Sequence, residues 1–338
     1  MKISAHSVTL QLRVPFKISY GASTTRENVL VSIDEGVGEG AVVPYYGETP
    51  QRIISYVQSR EVQKAVDHFS IEDLRLPPGE SSAARAAVDL ALHDLWGKQQ
   101  GHPLYRLWGL NPANCPRMSY TIPMSDDDDT YRQMLREKQG YPLIKLKLGS
   151  GSLEKDLWMV KTAAAEMDGT LCVDANNAWT ADQALTIIPQ LIDLGVLFVE
   201  QPVGRYDMDG WRKISTELPE DRPPLIADES VQGVDSISPL AGLADGINIK
   251  LAKCGGLFPA RQMIHQAREL GMKIMLGCMV ETSVAITAMS HLAPLADYLD
   301  LDGNQLLIHD PFMGMTVDEH GTLTLPDAPG LGVTPRAE

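Results

Sequence analysis

Two lysines placed one residue apart are the first groups in the chain that could move a proton. Lys145 and Lys147 interrupt the otherwise apolar run Leu143-Ile-Lys-Leu-Lys-Leu-Gly149. On a strand both side chains would point to the same face, and repulsion between the ammonium groups would lower the pKa of at least one of them. A lysine with a lowered pKa can act as a base. Taken alone, the run favours a simpler interpretation, an exposed edge strand with solvated lysines.

Three acidic residues and a third lysine follow the pair at nearly regular intervals. Counted from Lys147, the intervals to Asp174, Glu200, Asp228 and Lys250 are successively 27, 26, 28 and 22 residues, and each residue ends a short apolar run. If the runs are parallel strands of one barrel, these side chains meet at a single mouth. Three converging carboxylates need a cation, and oxygen ligands select Mg2+, with Mn2+ as an alternative.

Lysines on two sides of such a cation suit proton transfer at a carbon atom. With a substrate carboxylate on the cation, Lys147 or Lys250 would remove the α-proton to form an enediolate, and the other lysine would return it with inversion. Each residue also has a simpler interpretation. Asp228 alone would usually be a helix N-cap, Glu200 could brace a loop, and Lys250 could extend to solvent. All of these simpler interpretations would have to be correct at once to exclude an active site, and the shared spacing of the residues disfavours that combination.

The elements that would position these residues form a parallel α/β barrel over residues 116–312, because short apolar strands alternate there with amphipathic helices. The eight predicted strands are Met118–Ile122, Leu143–Leu148, Thr170–Val173, Val196–Val199, Leu225–Ala227, Gly246–Ile249, Lys273–Leu276 and Asp297–Leu299. The four aspartates at 126–129 are interpreted as a helix N-terminus rather than a metal site. Residues 1–115 combine strand patterns with two predicted helices, at 50–68 and 80–100, which indicates a separate α+β unit.

The composition is typical of a globular protein, and the net charge limits the classes of partner that the chain could bind. Its 338 residues are 44% hydrophobic and 22% charged, and the net charge of −15 disfavours nucleic acid or an anionic membrane as partner. The sequence shows no signal-peptide pattern, and no apolar run reaches the roughly 20 residues that a membrane span needs. We therefore expect a cytoplasmic protein with free thiols, and a homo-oligomer is left open. The cysteines are Cys115, Cys172, Cys254 and Cys278.

Jointly, the motifs resemble the muconate-lactonising subgroup of the enolase superfamily over essentially the whole chain. The segments that carry the resemblance are Lys145-Leu-Lys147, Asp174-Ala-Asn176, Glu200-Gln-Pro202, Asp228-Glu-Ser230, and Lys250 with Cys254-Gly-Gly256. The resemblance implies a (β/α)7β modified TIM barrel, with an α+β capping domain formed by the N-terminal region and the tail, residues 313–338. It also implies roles for particular residues: Mg2+ at Asp174, Glu200 and Asp228, an acid/base pair in Lys147 and Lys250, substrate contact by Lys145, and supporting positions for Asn176 and Glu229.

The end of the eighth strand resembles the dipeptide epimerases in particular. Asp300 and Asp302 in Tyr298-Leu-Asp-Leu-Asp302 would share one strand face, and in those enzymes such a pair binds the terminal ammonium of the substrate. The alternative is that both aspartates pair with structural basic residues. Gly277-Cys-Met-Val-Glu-Thr282 is also similar to that family, which implies that Gly277, Cys278 and Met279 contact the substrate.

These observations predict a Mg2+-dependent dipeptide epimerase that inverts the α-carbon of the C-terminal residue. Alternatives on the same barrel are a cycloisomerase, an o-succinylbenzoate synthase or an N-acylamino acid racemase, and a non-catalytic ligand-binding barrel is a further one. Tyr20 and Gly21 are expected to cap the site. Gly21 stands where Ala-Glu epimerases usually carry an arginine, which argues against that substrate, although Arg26 could replace the missing charge.

Overall fold

The structure, a computed structural model, describes residues 1–18 and 21–337 of the chain. Its N-terminal part is a three-stranded antiparallel sheet in the order β1 Ile3–Ile18, β2 Gly21–Ile33 and β3 Gly36–Ala41. Alternate apolar side chains of β2, namely Val29, Val31 and Ile33, are fully buried. They form one face of a core because successive side chains of a strand point to opposite faces.

Helices pack against this sheet and complete the capping domain. They are α1 Pro50–Val57, α2 Arg60–Asp67, α3 Ser82–Gln100 and α4 Leu104–Leu107, with short 3-10 turns at Pro44–Tyr46, Ile71–Asp73 and Pro112–Asn114. The single helix predicted over 50–68 was wrong, because the Ser59 side chain caps a new helix there. The helix predicted over 80–100 is confirmed. Ser81 caps its start, and Gly101, with φ of 73°, ends it.

Eight parallel strands then form the barrel, each paired with the next in sequence order. They are β4 Tyr120–Ile122, β5 Leu143–Lys147, β6 Thr170–Asp174, β7 Val199–Glu200, β8 Leu225–Ala227, β9 Gly246–Ile249, β10 Lys273–Gly277 and β11 Tyr298–Asp300. A bridge between Met118 and Leu299 joins the two outer strands, and the Ser119 N–H donates to the Leu299 carbonyl at 2.9 Å. The predicted α/β barrel with a capping domain is thereby confirmed, with strand ends shifted from those predicted.

The barrel strands are connected mainly by helices on the outside. These are α5 Asp128–Arg136, α6 Leu153–Glu166, α7 Ala181–Ile192, α8 Met208–Glu217, α9 Leu251–Cys254, α10 Leu257–Glu269 and α11 Ser283–Ser290, with 3-10 turns at Val234–Ser236, Ser238–Leu240, Ala293–Leu295 and Gly303–Leu306. The predicted helix start within 126–129 is confirmed, since the Asp127 side chain accepts from the Thr130 N–H. No helix within residues 1–18 and 21–337 is long and apolar enough to cross a membrane.

The tail after the barrel contacts both domains. It contains two antiparallel pairs, β12 Phe312–Met313 with β15 Thr334–Pro335, and β13 Thr316–Val317 with β14 Leu323–Thr324. The Leu331 N–H donates to Asp94 of the capping domain at 2.8 Å, whereas the Met118 N–H at the barrel start donates to the Gly321 carbonyl at 2.9 Å. The tail therefore links the two domains. The exact boundaries 1–115, 116–312 and 313–338 stay a prediction.

Candidate active site

The acidic residues at the strand ends face into the barrel mouth because each lies two positions beyond an inward-facing core residue. Phe198 and Ile226 belong to the cluster that fills the interior of the barrel. Glu200 and Asp228 follow them by two residues, so their side chains point the same way. The mouth opens into a cavity of about 450 Å³ that lies between the barrel and the capping domain.

The three acidic residues predicted as metal ligands come together at this mouth. Asp174 and Glu200 are 0% exposed and Asp228 is 1% exposed, and a carboxylate oxygen from each lies within 4.8 Å of the others. Burial raises the pKa of Glu200 to about 7, and repulsion from Asp174 adds to the effect. Burial also acts to raise the pKa of Asp174 and Asp228, but nearby ammonium groups outweigh it and lower both.

The donor set of this triad fits a divalent cation of the Mg2+ type. All three side chains offer oxygen, the ligand atom that hard cations prefer, and they approach one point from three successive strands. Burial is the largest cause of the raised pKa of Glu200, and repulsion from Asp174 and Asp228 adds to it. A bound divalent cation would relieve that repulsion.

Lys147 and Lys250, predicted as the acid/base pair, both line the cavity. The Lys147 Nζ donates to Asp174 Oδ2 at 2.7 Å, and the Lys250 Nζ donates to Asp228 Oδ2 at 2.7 Å. Each residue is 7% exposed. Lys147 ends the second strand of the barrel, whereas Lys250 follows the sixth, so the two ammonium groups reach the carboxylate triad from different sides.

Lys145 lies deeper than the sequence suggested. Its side chain is 0% exposed, and its Nζ lies 2.5 Å from Glu200 Oε2, 2.6 Å from Asp300 Oδ2 and 3.4 Å from Asp174 Oδ2. Burial lowers the pKa of Lys145, but these carboxylates outweigh it and raise the pKa well above its usual value. The pKa depression expected from the neighbouring lysine is therefore wrong for Lys145. Its contact with substrate stays a prediction, because the cavity is lined by Lys147 instead.

Asp300 and Asp302 occupy different environments although both line the cavity. Asp300 accepts from Lys145 at 2.6 Å and from the Ser119 hydroxyl at 2.7 Å. Despite burial, attraction to Lys145 lowers the pKa of Asp300 to about 2. Asp302 accepts from the Thr121 N–H at 2.7 Å, and it forms no ion pair with any described residue. Burial and repulsion from Asp300 raise the pKa of Asp302 to about 6.

The strand β11 ends at Asp300 and Asp302 lies in the turn that follows, but both side chains line the same cavity. The alternative that basic residues pair with them applies to Asp300, through Lys145. Asp302 is the carboxylate of the two that could still bind a cationic group of a ligand.

Asn176 and Glu229 lie beside the metal triad, as predicted. The Asn176 N–H donates to Asp174 Oδ1 at 2.8 Å, and its side-chain amide donates to Asp174 Oδ2 at 3.3 Å. The same amide lies 3.4 Å from Glu229 Oε1. Burial raises the pKa of Glu229 to about 8, and repulsion from Asp228 adds to this. Both residues line the cavity wall next to the triad.

Sequence reasoning gave too little weight to two residues beside the triad. Lys253 is 3% exposed, and its Nζ donates to Asp228 Oδ1 and, at 2.6 Å, to the Asp228 carbonyl. Asn248 was not considered, yet its amide donates to Glu200 Oε1 at 2.7 Å. A signal was available for Asn248, because a polar residue two positions before Lys250 in an apolar strand must face the same side.

The segment after the seventh barrel strand contributes only part of what was predicted. Cys278 and Met279 line the cavity, and the Cys278 Sγ donates to the Asp300 carbonyl at 3.3 Å. Gly277 is absent from the described lining of the cavity and instead lies against the Asn248 side chain. Substrate contact by these three residues stays a prediction.

The capping domain supplies the outer wall of the cavity. Gly21, Arg26 and Tyr45 line it, whereas the predicted capping residue Tyr20 lies outside the described residues. The Arg26 side chain is half-buried, and burial lowers its pKa. Its guanidinium donates to the neighbouring Thr25 carbonyl at 3.0 Å. It forms no ion pair with a carboxylate of residues 1–18 or 21–337.

The fold is an eight-stranded parallel barrel with a separate capping domain, and carboxylates and lysines meet at the mouth of the barrel. In enzymes built on parallel barrels, the active site lies at this end of the strands. Residues 1–109 match the N-terminal domain of the mandelate racemase/muconate lactonizing enzyme family, and residues 129–338 match the family described as enolase C-terminal domain-like. The chain therefore belongs to the mandelate racemase/muconate lactonizing enzyme family of the enolase superfamily.

Relatives and solved structures match almost the whole chain. L-Ala-D/L-Glu epimerase from Bacteroides thetaiotaomicron is 39% identical over 98% of this chain and 88% of its own length. The substrate-liganded L-Ala-D/L-Glu epimerase from Bacillus subtilis superposes with a TM-score of 0.87 at 28% identity, covering 100% of this chain and 99% of its own. Dipeptide epimerase from Methylococcus capsulatus, complexed with Mg and L-Arg-D-Lys, has a TM-score of 0.86 at 30% identity and 98% coverage of both chains.

Proposed function

We propose that this protein is a Mg2+-dependent dipeptide epimerase that inverts the α-carbon of the C-terminal residue. The observation that carries the proposal is the placement of Lys147 and Lys250. Their ammonium groups come from two separated strands, line one cavity, and are each hydrogen-bonded to a different carboxylate of the triad. The dipeptide epimerases among the relatives support the choice of reaction.

The proposed reaction is a proton transfer between two bases. Either Lys147 or Lys250 accepts the α-proton at Nζ, and the other lysine donates a proton to the opposite face of the carbon atom. When bound, Mg2+ would supply positive charge that stabilises the substrate carboxylate as negative charge develops on it, and would offset the carboxylates that raise the pKa of Lys250. We take Mg2+ as the physiological ion, with Mn2+ as an alternative.

The charges on the cavity wall indicate which dipeptides would fit. Asp302 would bind the N-terminal ammonium of the substrate, because it is a buried carboxylate that has no cationic partner among the described residues. At the capping-domain wall, the half-buried Arg26 has no carboxylate partner within the described chain and favours an acidic side chain on the C-terminal residue. An L-Ala-D/L-Glu type of dipeptide meets both conditions, and Arg26 then takes the place of the arginine that is missing at Gly21.

Exchange in D2O tests the two-base reaction directly. In Lys147→Ala and Lys250→Ala we expect epimerisation to fall by about 10²- to 10⁴-fold, the contribution of a positioned acid or base. Each variant should still exchange the α-proton of one epimer, the one whose proton faces the remaining lysine. Mass spectrometry of each epimer separately measures this. Lys155→Ala is the matched control, because Lys155 is also paired with an aspartate but lies on α6, outside the cavity.

Normal epimerisation in either lysine variant would contradict the two-base proposal. No exchange into any dipeptide by the wild-type protein with Mg2+ would favour the non-catalytic barrel. Exchange without inversion in the wild type would favour another reaction of the same barrel, because that outcome needs only one of the two bases.

A further inference from the structure

A neutral amide lies beneath the proposed metal site. Asn248 is 0% exposed, lies on β9 and faces the barrel interior, as Lys250 does two residues later. Its side-chain Nδ2 donates to Glu200 Oε1 at 2.7 Å. The other described contact of the Glu200 carboxylate is Lys145, whose Nζ lies 2.5 Å from Oε2. Each oxygen of Glu200 therefore has a different neighbour: Oε1 accepts a hydrogen bond from Asn248, and Oε2 forms an ion pair with Lys145.

The two neighbours of Glu200 differ in one physical respect. An ammonium group such as that of Lys145 orients a carboxylate but also neutralises it, so it competes with a cation for the same negative charge. The Asn248 amide orients the carboxylate with a hydrogen bond and adds no net charge. Asn248 is thus able to fix the direction of Glu200 without opposing a bound cation.

Asn248 is itself held by groups on both sides. The Lys253 Nζ donates to the Asn248 carbonyl at 3.0 Å, which fixes the backbone. Gly277 on the neighbouring strand β10 leaves room for the side chain. A Cβ atom on Gly277 would lie 2.5 Å from Asn248 Oδ1 and 2.7 Å from Nδ2, closer than atoms can approach without displacement. The Asn248 amide therefore occupies the space that a side chain at position 277 would need.

We propose that Asn248, kept in place by the absence of a side chain at Gly277, is a positioning residue that orients Glu200 for Mg2+ binding. This inference rests on the proposed function, in which Glu200 is one of three Mg2+ ligands. Hydrogen bonds to metal-binding side chains fix the direction of their lone pairs, and losing one typically costs about 10- to 100-fold in metal affinity. The same loss is expected here, although neither Asn248 nor Gly277 is a metal ligand.

Calorimetric titration of the full-length protein with MgCl2, without substrate, tests the first part. In Asn248→Ala we expect the Mg2+ dissociation constant to rise about 10- to 100-fold. Asn28→Ala is the matched control: Asn28 is also 0% exposed, and its Nδ2 donates to a buried carboxylate, Glu39, at 2.8 Å, but in the capping sheet. The control should lose stability to thermal unfolding while keeping the wild-type Mg2+ affinity.

The outcomes separate this inference from the function on which it rests. Wild-type affinity for Mg2+ in Asn248→Ala, or an equal loss of affinity in Asn28→Ala, would overturn the positioning role of Asn248. If the wild-type protein bound no Mg2+, the proposed function itself would fail, and this inference with it.

A double-variant cycle tests the part played by Gly277. Gly277→Ala should weaken Mg2+ binding by about tenfold, because the added methyl group displaces Asn248 from Glu200. In the Asn248→Ala background the same change should have no further effect, because the space is then vacant. That double variant should also fold if Gly277→Ala alone does not. Independent, multiplicative losses from the two substitutions would show that Gly277 does not act through Asn248.

Discussion

The two walls of the cavity hold their charged groups in different ways. On the barrel side, Lys145, Asp174 and Glu200 lie beneath the cavity wall and are all 0% exposed, and the Lys145 Nζ lies within 3.4 Å of both carboxylates. On the capping-domain wall, Arg26 is half-buried, and its described hydrogen bond goes to the carbonyl of the adjacent Thr25. Buried, ion-paired charges keep one geometry, whereas a partly exposed side chain on a strand can adjust to what it meets.

This difference separates two tasks. Chemistry at a carbon atom needs catalytic groups held to within a fraction of an ångström, and the interlocked charges of the barrel provide that. Recognition of a variable side chain needs only a complementary charge at the edge of the cavity, which Arg26 of the capping domain would supply under the proposed function. Changes on the barrel wall should therefore affect all substrates alike, and changes on the capping-domain wall should affect some substrates only.

Removing the cation is expected to have the largest effect on the barrel wall. Chelation should reduce turnover of every dipeptide by at least about a thousandfold, because a bound metal ion supplies several kcal/mol of charge stabilisation in the transition state. Adding MgCl2 should restore turnover. The far-ultraviolet circular dichroism spectrum should stay unchanged, since Lys145, Lys147 and Lys250 still neutralise the carboxylates. Unfolding on chelation would show that the ion pairs of the barrel do not hold the carboxylates in place without the cation.

Asp302→Asn is expected to have an intermediate effect, because Asp302 follows the last barrel strand but has no ion pair among the described residues. The value of kcat/KM for dipeptides with a free amino terminus should fall about 10- to 100-fold, as expected for the loss of a hydrogen bond between charged groups. N-acylated analogues, which lack the ammonium group, serve as the control and should lose nothing. If free dipeptides were turned over normally, Asp302 would not bind the amino terminus, and another reaction of this family would be favoured.

The pH dependence of KM gives a second measure of the same group. Only the ionised form of Asp302 attracts an ammonium group, and burial raises its pKa to about 6. KM for free dipeptides should therefore rise as the pH falls through about 6 and level off above it. In Asp302→Asn this dependence should disappear. A wild-type KM that is constant from pH 5 to pH 7 would contradict the assignment.

Arg26→Gln is expected to have the smallest and most selective effect. Turnover of L-Ala-L-Glu should fall about tenfold in kcat/KM, because one partly exposed charge-assisted hydrogen bond is lost. Dipeptides with an apolar C-terminal residue should be unaffected. Arg13→Gln is the control, because it removes the same charge from the neighbouring strand β1, where the Arg13 guanidinium donates to the Gln305 carbonyl outside this cavity. It should change the turnover neither of L-Ala-L-Glu nor of dipeptides with an apolar C-terminal residue. A uniform loss for all substrates in Arg26→Gln would remove the proposed distinction between the walls.

The sequence by itself determined the barrel and the identity of the groups at its mouth. One ionisable residue at the end of successive apolar runs, at intervals of 22 to 28 residues, requires that Asp174, Glu200, Asp228 and Lys250 meet if the runs form parallel strands. That prediction needs only the two-residue period of a strand and the closure of the sheet. Both are local or topological properties that a single chain displays.

Tertiary structure alone decided how these groups divide their roles. Asp300 and Asp302 look equivalent in the sequence, yet only Asp300 of the two forms an ion pair with Lys145. The high pKa of Lys145, the support of Glu200 by Asn248, and the position of Arg26 at the cavity likewise depend on neighbours distant in the chain. Burial and the electrostatic field of several charges act through space, and their sum changes sign with distances that no spacing along the sequence specifies.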